Sequence, residues 1–265
     1  MGILERFRLD DQVAIVTGAG RGIGAAIAEA YAEAGAHVVV AARSREQIER
    51  TAASARRHGR RALPVVCDVL ERAQLESLVA ATLGEFGRID LLVNNAGGWP
   101  PKPALRTGEK EFEAAFRFNV TTAFLLTRLV VPKMVETAGS GAVVNISSVA
   151  GRHHSAGFAA YGTAKAALSF LTQNLAQEFA PKVRVNAIAV GSIETEALAG
   201  VLTPELKDEM VRLTPLGRLG QVEDISACAL YLASPAASYV TGEIYGVNGG
   251  LVALNMRMPR AFEGA

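Results

Sequence analysis

The chain has 265 residues, of which 50% are hydrophobic, 20% charged and 6% aromatic. This length allows one large domain or two small ones, and the hydrophobic share is too high for a disordered chain. The 27 basic and 26 acidic side chains nearly cancel, which argues against a general nucleic-acid-binding protein because no excess positive charge is available to neutralise phosphates.

Seven short runs are predicted to be strands, because most are near-continuous in apolar residues and all are too short for helices. In chain order they are residues 13–17, 38–42, 63–67, 91–94, 142–147, 183–188 and 244–247. Helical patterns lie between them at residues 23–34, 45–58, 75–86, 109–135, 158–179, 204–213 and 223–232. This alternation predicts a single α/β domain over residues 1–265, with a Rossmann-type doubly wound sheet of about seven parallel strands and helices on both faces. Ligands of such sheets bind at the carboxyl ends of the strands.

A glycine-rich loop joins the first predicted strand to the first predicted helix. Glycines permit a tight turn and let backbone N–H groups approach a pyrophosphate, to which the helix N-terminus adds a positive dipole end. A glycine-rich stretch also occurs in ordinary turns, but its place between a strand and a helix favours a dinucleotide site. The residues expected to bind it are Gly18, Gly20, Arg21, Gly22, Ile23 and Gly24.

The end of the second predicted strand bears on which dinucleotide is bound. NAD-selective sites usually carry an acidic residue there, which hydrogen-bonds the ribose 2′-hydroxyl. Here Ala42 is followed by Arg43, and Arg21 lies in the glycine loop. Two guanidinium groups could bind a 2′-phosphate by charge-assisted bonds, although both could also be solvated. The pattern favours NADP(H) over NAD(H).

Three side chains near the fifth strand could carry proton transfer. Ser148 follows that strand, and Tyr161 and Lys165 lie four residues apart on a predicted helix, so they project from one face. A free phenol is a poor base at neutral pH, but a nearby ammonium, helped by an oxidised nicotinamide ring, favours the phenolate and lowers the pKa of the phenol. Tyr161 could then pass a proton to or from a substrate oxygen. Taken alone, such a pair also fits packing plus a surface charge.

Together these motifs resemble the short-chain dehydrogenase/reductase family over residues 9–251, nearly the whole chain. The glycine loop, Asn94-Asn95-Ala96-Gly97, Ser148 and the Tyr161–Lys165 pair fall in the order and spacing of that family. The resemblance implies an oxidoreductase that transfers a hydride between NADP(H) and a hydrophobic alcohol or ketone. The alternative is a sensor that binds the dinucleotide without catalysis, which would have no need of the whole reactive set.

The resemblance also implies a role for each matching residue. Tyr161 would be the general acid/base, Lys165 would lower its pKa and hold the nicotinamide ribose, and Ser148 would orient the substrate oxygen. Asn119 would kink a helix and hold a relay water near the lysine. Asp68 would contact the adenine amine, although it could instead be a cap or turn residue. The remaining implied cofactor contacts are Arg43, Val69, Asn95, Ala96, Gly97, Gly191, Ile193 and Thr195.

Three regions are expected to form the substrate pocket: residues 98–103, residues 149–158, and a lid at about residues 190–215. Apolar lid residues such as Ile193, Leu198, Val201 and Leu202 suit a hydrophobic substrate, although they could equally be the inner face of an ordinary helix. Within the family, residues 94–103 and 214–238 most resemble bacterial 7α-hydroxysteroid dehydrogenases, and a second resemblance is to 3-oxoacyl-carrier-protein reductases. An acidic carrier would need a basic docking surface. The arginines at 56, 57, 60 and 61 are a candidate that also fits a solvated helix face.

The family commonly assembles through its fourth and fifth helices, which implies a homotetramer or a homodimer. The tail at about residues 252–265 is expected to be irregular, and either disordered or placed over a neighbouring subunit's pocket. Where the family often has a proline, this chain has Val190, which frees the backbone and is expected to loosen the following loop.

Several other features exclude alternatives. No apolar run approaches the ~20 residues of a membrane-spanning helix, and the mixed N-terminus does not fit a signal peptide. Cys67 and Cys228 lie in apolar surroundings, which fits inert core thiols of a cytoplasmic protein. His153 and His154 have no third ligand at metal-binding spacing, so no metal site is expected.

Overall fold

The computed structural model describes residues 2–200, 202–256, 258 and 260. Seven strands form one parallel sheet in these residues, in the order β3-β2-β1-β4-β5-β6-β7. The strands are β1 (Val13–Thr17), β2 (His37–Ala42), β3 (Ala62–Val66), β4 (Leu91–Asn94), β5 (Gly141–Ser148), β6 (Val183–Val190) and β7 (Ile244–Val247). The predicted fold class is confirmed.

The α-helices cover both faces of this sheet. They are α1 (Gly22–Glu33), α2 (Arg45–Arg56), α3 (Arg72–Phe86), α4 (Glu109–Phe116), α5 (Thr122–Ala138), α6 (Ala159–Phe179), α7 (Glu196–Ala199), α8 (Pro204–Arg212) and α9 (Val222–Ala233). Most predicted elements are correct to within three residues at each end. The short helix α7 was not predicted, because four residues are too few to show a helical period.

Burial on both faces explains why the strands are so uniformly apolar. Val13 and Ile15 of β1 belong to the core that packs against α3, α5 and α6. Ala14 and Val16 point the other way, into the core against α1, α2 and α9. Successive side chains of a strand alternate between faces, so a strand covered on both sides needs apolar residues at every position.

The prediction of one helix over residues 109–135 is wrong at its centre. The segment Arg117–Thr121 forms a π-helical turn between α4 and α5. A π turn widens the helix by one residue, and its wider turn leaves a backbone carbonyl without its usual partner. The side-chain amide of Asn119 donates to the carbonyl of Ala115 at 2.9 Å and satisfies that oxygen. The side chain of Asn119 therefore stabilises the π turn.

The helical stretch Glu109–Ala138 is long and apolar enough to resemble a membrane span, with a mean hydropathy of 1.3. Half of its most apolar window is buried inside the protein, where Leu126, Val130 and Met134 pack against the sheet. This stretch is a core helix of the α/β fold, and its hydropathy follows from that packing.

The strand order places a crevice at one edge of the sheet. From β1 the chain builds outward to β3 and then returns to β4 on the other side of β1. The connections that follow β1 and β4 leave the sheet in opposite directions, so a gap opens above their carboxyl ends. The glycine loop follows β1 and residues 95–97 follow β4, so both lie at this gap.

Candidate active site

Two adjoining clefts open at the carboxyl ends of the strands. The glycine-loop cleft has a volume of about 420 Å³ and the tyrosine cleft about 680 Å³. Both are lined by Gly18, Arg21, Asn95 and Gly97, so they form one continuous groove. The glycine-loop cleft is also lined by the predicted residues Gly20, Arg43, Asp68, Val69 and Ala96. The tyrosine cleft is lined by the predicted residues Gly22, Ile23, Gly24, Ser148, Tyr161, Lys165, Gly191, Ile193 and Thr195.

The glycine loop is held in a shape that side chains would block. Gly18 and Gly22 have positive φ angles of 62° and 56°. A Cβ atom on Gly24 would lie 2.5 Å from the carbonyl oxygen of Gly18. The amide of Asn95 donates to the carbonyls of Thr17 at 2.9 Å and Gly18 at 3.1 Å. Asn95 therefore ties the loop to the end of β4, a role that its predicted cofactor contact did not include.

This half of the groove fits a dinucleotide. The loop leads directly into the N-terminus of α1, which provides backbone donors and a positive dipole end for a pyrophosphate. Asp68 and Val69, after β3, form the far wall. The Asp68 carboxylate accepts a hydrogen bond from the backbone N–H of Leu70 at 3.0 Å, which is the turn geometry that the sequence left as its alternative. One carboxylate oxygen holds the turn, and the residue still faces the cleft.

Arg21 and Arg43 both line the glycine-loop cleft. Arg21 also forms an ion pair at 3.3 Å with Glu196, the first residue of α7. Both side chains are more than half exposed, so the pair is weak and easily exchanged for another partner. The structure thus places both predicted arginines in the lining of the glycine-loop cleft, and the Glu196 carboxylate competes for Arg21.

Ser148, Tyr161 and Lys165 meet at the floor of the tyrosine cleft. Ser148 ends β5, and Tyr161 and Lys165 lie in the first two turns of α6. The Ser148 side chain lies close enough to the Tyr161 phenol to lower its pKa. The Nζ atom of Lys165 lies 5.7 Å from the centre of the Tyr161 ring and donates to the backbone carbonyl of Ile146 at 2.8 Å. The structure therefore brings these three predicted side chains together.

The cofactor-free protein raises the pKa of the Tyr161 phenol, whereas the sequence predicted a lowered pKa. Burial raises the pKa of Tyr161, and the Ser148 side chain opposes this in part. Burial also lowers the pKa of Lys165 to about 8, because the ammonium, 4% exposed, has lost most of its hydration. The expectation considered the charge of the lysine and left out the desolvation of both groups.

Asn119 lies behind the cleft and does not line it. Its carboxamide oxygen accepts from the backbone N–H of Gly98 at 2.8 Å, and its nitrogen donates to the carbonyl of Gly98 at 3.1 Å. A Cβ atom on Gly97 would lie 2.8 Å from that oxygen and 3.1 Å from Nζ of Lys165. Asn119 thus fixes the loop after β4, which separates it from Lys165. The predicted helix irregularity is present, and the relay water stays a prediction.

The outer part of the tyrosine cleft is apolar. Its lining includes Trp99, Pro100, Pro101, Phe158 and Leu198, which come from the three predicted regions. His153 and His154 do not line it, and the described residues contain no cluster of potential metal ligands. Among the predicted lid and tail residues, Val201, Arg257, Pro259 and 261–265 lie outside the described part of the chain.

The backbone at Val190 is held by the sheet, and the expected loosening of the loop that follows stays a prediction. Strand β6 continues through Val190, which pairs with Val247 of β7. The N–H of Gly191 then donates to the carbonyl of Val247 at 3.0 Å. A proline at position 190 would restrict the backbone directly. In this chain, hydrogen bonding to β7 orders the same backbone.

Sequence reasoning missed several residues of this groove. Gln47, Cys67 and Phe118 line the glycine-loop cleft, and Glu196 and Met256 line the tyrosine cleft. Gln47 could have been predicted, because it lies in the first turn of α2, four residues after Arg43. Met256 lies in a segment without periodicity, so no sequence signal pointed to it. Burial raises the pKa of the Cys67 thiol to about 11, which agrees with an inert thiol.

Comparison with known proteins gives consistent matches over almost the full length. A family model described as enoyl-(acyl carrier protein) reductase matches residues 18–252. Relatives include an uncharacterised oxidoreductase of Mycobacterium tuberculosis, 50% identical over 97% of this chain and 98% of the relative. Another is the 7α-hydroxysteroid dehydrogenase of Escherichia coli K12, 41% identical over 93% of this chain and 96% of the relative.

A solved structure of a 7α-hydroxysteroid dehydrogenase complexed with NADH and 7-oxoglycochenodeoxycholic acid is also similar. It matches with a TM-score of 0.92 and 39% sequence identity, covering 97% of this chain and 99% of that chain. The matches therefore extend beyond the glycine loop to the segments that carry Ser148, Tyr161 and Lys165.

Proposed function

Since the chain belongs to the short-chain dehydrogenase/reductase family, we propose that it interconverts a hydrophobic alcohol and its ketone, with NADP(H) as the preferred cofactor. The family assignment makes it an NAD(P)-dependent oxidoreductase that acts on a CH–OH group. The observation that carries the proposal is the meeting of Ser148, Tyr161 and Lys165 at the floor of an apolar cleft that continues into the glycine-loop cleft.

The proposed mechanism assigns proton transfer to Tyr161. In the reductive direction its hydroxyl donates to the developing alkoxide, and in the oxidative direction its phenolate accepts the proton of the alcohol. Ser148 donates a hydrogen bond to the same substrate oxygen and holds it beside the phenol. Lys165, which approaches the tyrosine ring from below, stabilises the phenolate. The nicotinamide, when bound, supplies or accepts the hydride.

The remaining residues would hold the cofactor. Gly18, Gly20, Gly22, Ile23 and Gly24 would cradle the pyrophosphate with backbone N–H groups. Asp68 and Val69 would contact the adenine end. The residues assigned to the nicotinamide end are Asn95, Ala96, Gly97, Lys165, Gly191, Ile193 and Thr195.

The preference for NADP(H) rests on Arg21 and Arg43, which both line the glycine-loop cleft. No carboxylate stands at the end of β2 to repel a 2′-phosphate, because that position is Ala42.

Replacing Arg43 with alanine tests this preference. It should raise KM for NADPH about 10-fold, because one charge-assisted contact is lost, and it should leave KM for NADH nearly unchanged. Arg45→Ala, an exposed arginine outside both clefts, is the matched control. Equal losses with both cofactors would reject the assignment.

A bulky ring ketone is the substrate class that the cleft favours. Its outer wall is apolar, which suits a hydrophobic ligand with rings. The cleft volume of about 680 Å³ also includes the space assigned to the nicotinamide end of the cofactor. The similarity to a 7α-hydroxysteroid dehydrogenase complexed with a 7-oxo bile acid supports the same class.

Carrier-bound 3-oxoacyl substrates gain no support from the basic cluster formed by the arginines at 56, 57, 60 and 61. Three of its four arginines pair with carboxylates: Arg57 with Glu29, Arg60 with Asp10 and Asp11, and Arg61 with Glu85.

The test is a screen of ketones and alcohols followed by absorbance at 340 nm with NADPH and NADH. It includes 7-oxo bile acids, simple cyclic ketones, sugars and acyl thioesters. Turnover of ring ketones with higher kcat/KM for NADPH is the expected result. Tight NADPH binding without turnover of any compound would favour the cofactor sensor.

Assembly as a homotetramer or homodimer in the cytoplasm completes the proposal. Phe112, Phe116, Phe124 and Phe170 are exposed on α4, α5 and α6, and exposed aromatic side chains on one group of helices are typical of an interface between subunits. Light scattering should give two or four times 27.9 kDa, and a monomer at micromolar concentration would contradict it.

A further inference from the structure

The chain after β7 returns to its own active site through one buried polar side chain. Asn255 is 3% exposed, although it lies in a segment without helix or strand. Its amide nitrogen donates to the carbonyl of Met210 at 3.2 Å and to Oγ1 of Thr214 at 3.0 Å. Its oxygen accepts from the hydroxyl of Ser192 at 2.7 Å. Both ends of the carboxamide are therefore satisfied by long-range partners.

These partners belong to two different parts of the substrate region. Ser192 follows β6 and lines the tyrosine cleft, whereas Met210 and Thr214 lie at the end of α8, in the lid. Asn255 joins the two with a fixed geometry, because a carboxamide presents donors on one side and an acceptor on the other. Neither an aspartate nor a leucine of similar size could make all three bonds.

The residues after this anchor reach across the opening of the cleft. Met256 lines the tyrosine cleft together with Trp99 and Leu198. Met258 packs against Gly157, where an added Cβ atom would lie 2.9 Å from Cγ of the methionine. Gly157 belongs to the loop that leads into the helix of Tyr161. The tail thus contacts the lid on one side and the loop before α6 on the other.

We propose that Asn255 is a positioning residue that seats the tail on its own subunit, and that Met256 helps to determine which substrates the cleft accepts. Methionine is flexible and apolar, so it adapts to irregular ring systems while it excludes water. The expectation of a tail that is disordered or covers a neighbouring subunit's pocket stays a prediction for residues 257, 259 and 261–265, which lie outside the described part of the chain. The proposal deepens the proposed function, since it concerns the substrate selectivity of the same site.

Trp99 provides a readout that needs no substrate. It is the one tryptophan of the sequence and lines the same cleft as Met256. Acrylamide quenching of its fluorescence therefore measures how well the tail covers the cleft. Asn255→Ala removes bonds to two segments at once, so the ratio of seated to released tail should fall about 5- to 30-fold. Quenching should rise accordingly, and NADPH affinity should stay within about twofold.

The variants are chosen to separate positioning from general destabilisation. Asn255→Asp keeps the acceptor for Ser192 but turns a second acceptor toward the Met210 carbonyl, so it should behave like Asn255→Ala. Val252→Ala changes a tail residue that is 86% exposed and should match the wild type. Ser192→Ala removes one bond, and its effect should have the same direction and be smaller. It keeps the test open should both Asn255 variants fail to fold.

The kinetic half of the test compares cyclohexanone, 1-decalone and a 7-oxo bile acid with NADPH. Releasing the tail should raise KM for the larger ketones more than for cyclohexanone, with kcat less affected, whereas loss of folded enzyme would lower kcat equally for all. Met256→Ala should shift the same ratio without a change in the melting temperature. Unchanged quenching together with an unchanged KM ratio in Asn255→Ala would overturn the proposal. If no ketone is turned over, the proposed function fails and the quenching experiment still decides the placement of the tail.

Discussion

Replacing Lys165 with methionine tests whether the burial that shapes the active site costs stability. Burial lowers the pKa of Lys165 from 10.5 to about 8. The native protein therefore binds this proton more weakly than the unfolded chain does. Below pH 8 both states carry the charge, so the native state bears the whole cost of burying it, and the cost disappears as the pH rises toward 10.5.

The size of this effect follows from the two pKa values. A change from 10.5 to about 8 corresponds to roughly 3 kcal/mol of unfolding free energy at pH 7. Methionine removes the charge and keeps a similar length, but it gives up the hydrogen bond to the carbonyl of Ile146, worth about 1 kcal/mol. The variant should thus be more stable than the wild type by roughly 2 kcal/mol at pH 7. It should also lose its activity.

Urea unfolding of the cofactor-free protein, followed by the fluorescence of Trp99, measures the difference at pH 7 and pH 10. The measurements use a single protein concentration, since assembly changes apparent stability. The advantage of Lys165→Met should shrink as the pH rises, and near pH 10 the wild type should equal or exceed it. Lys133→Met, at an exposed lysine that pairs with Glu136, should show little change with pH. A variant less stable than the wild type at pH 7, or a difference that is constant with pH, would refute the reasoning.

Three further outcomes are expected. Tyr161→Phe should lower kcat on the order of 10²- to 10⁴-fold and leave the Kd for NADPH nearly intact; retained turnover would show that another group transfers the proton. Gly97→Ala should abolish turnover and lower the Tm, because its Cβ would lie 2.8 Å from the Asn119 oxygen; normal kinetics would mean that the loop after β4 can move. Glu196→Gln should tighten NADPH binding about 2- to 5-fold by freeing Arg21 from its ion pair; weaker binding in a fluorescence titration would show that the pair assists the cofactor.

Local chemistry let the sequence identify most of the catalytic half of the site. Tyr161 and Lys165 lie four residues apart, and any α-helix puts such a pair on one face. The glycine loop needs positive φ angles that glycine alone adopts freely, so its shape is also encoded in a few adjacent residues. Continuous apolar runs likewise predicted β1 and β4 with the bounds that the structure gives.

Features that depend on distant partners were not available from local patterns. The π turn at Arg117–Thr121 gives no break in helical periodicity, and it is stabilised by contacts that Asn119 makes with Gly98. The ion pair between Arg21 and Glu196 joins residues 175 positions apart. In each case the partner is chosen by packing, and spacing along the chain carries no information about it.

By itself, then, the sequence determined the alternating α/β elements, the glycine loop and the common helix face of Tyr161 and Lys165, because each is specified by short-range geometry. The place of Ser148 beside them was implied by the family resemblance. The tertiary structure alone decided the ionisation of the trio and the placement of the tail. The pKa of Lys165 depends on how much water the assembled core excludes, and Asn255 is buried by contacts with segments 41 and 63 residues away. Desolvation is a property of the packed protein, and no single stretch of sequence contains it.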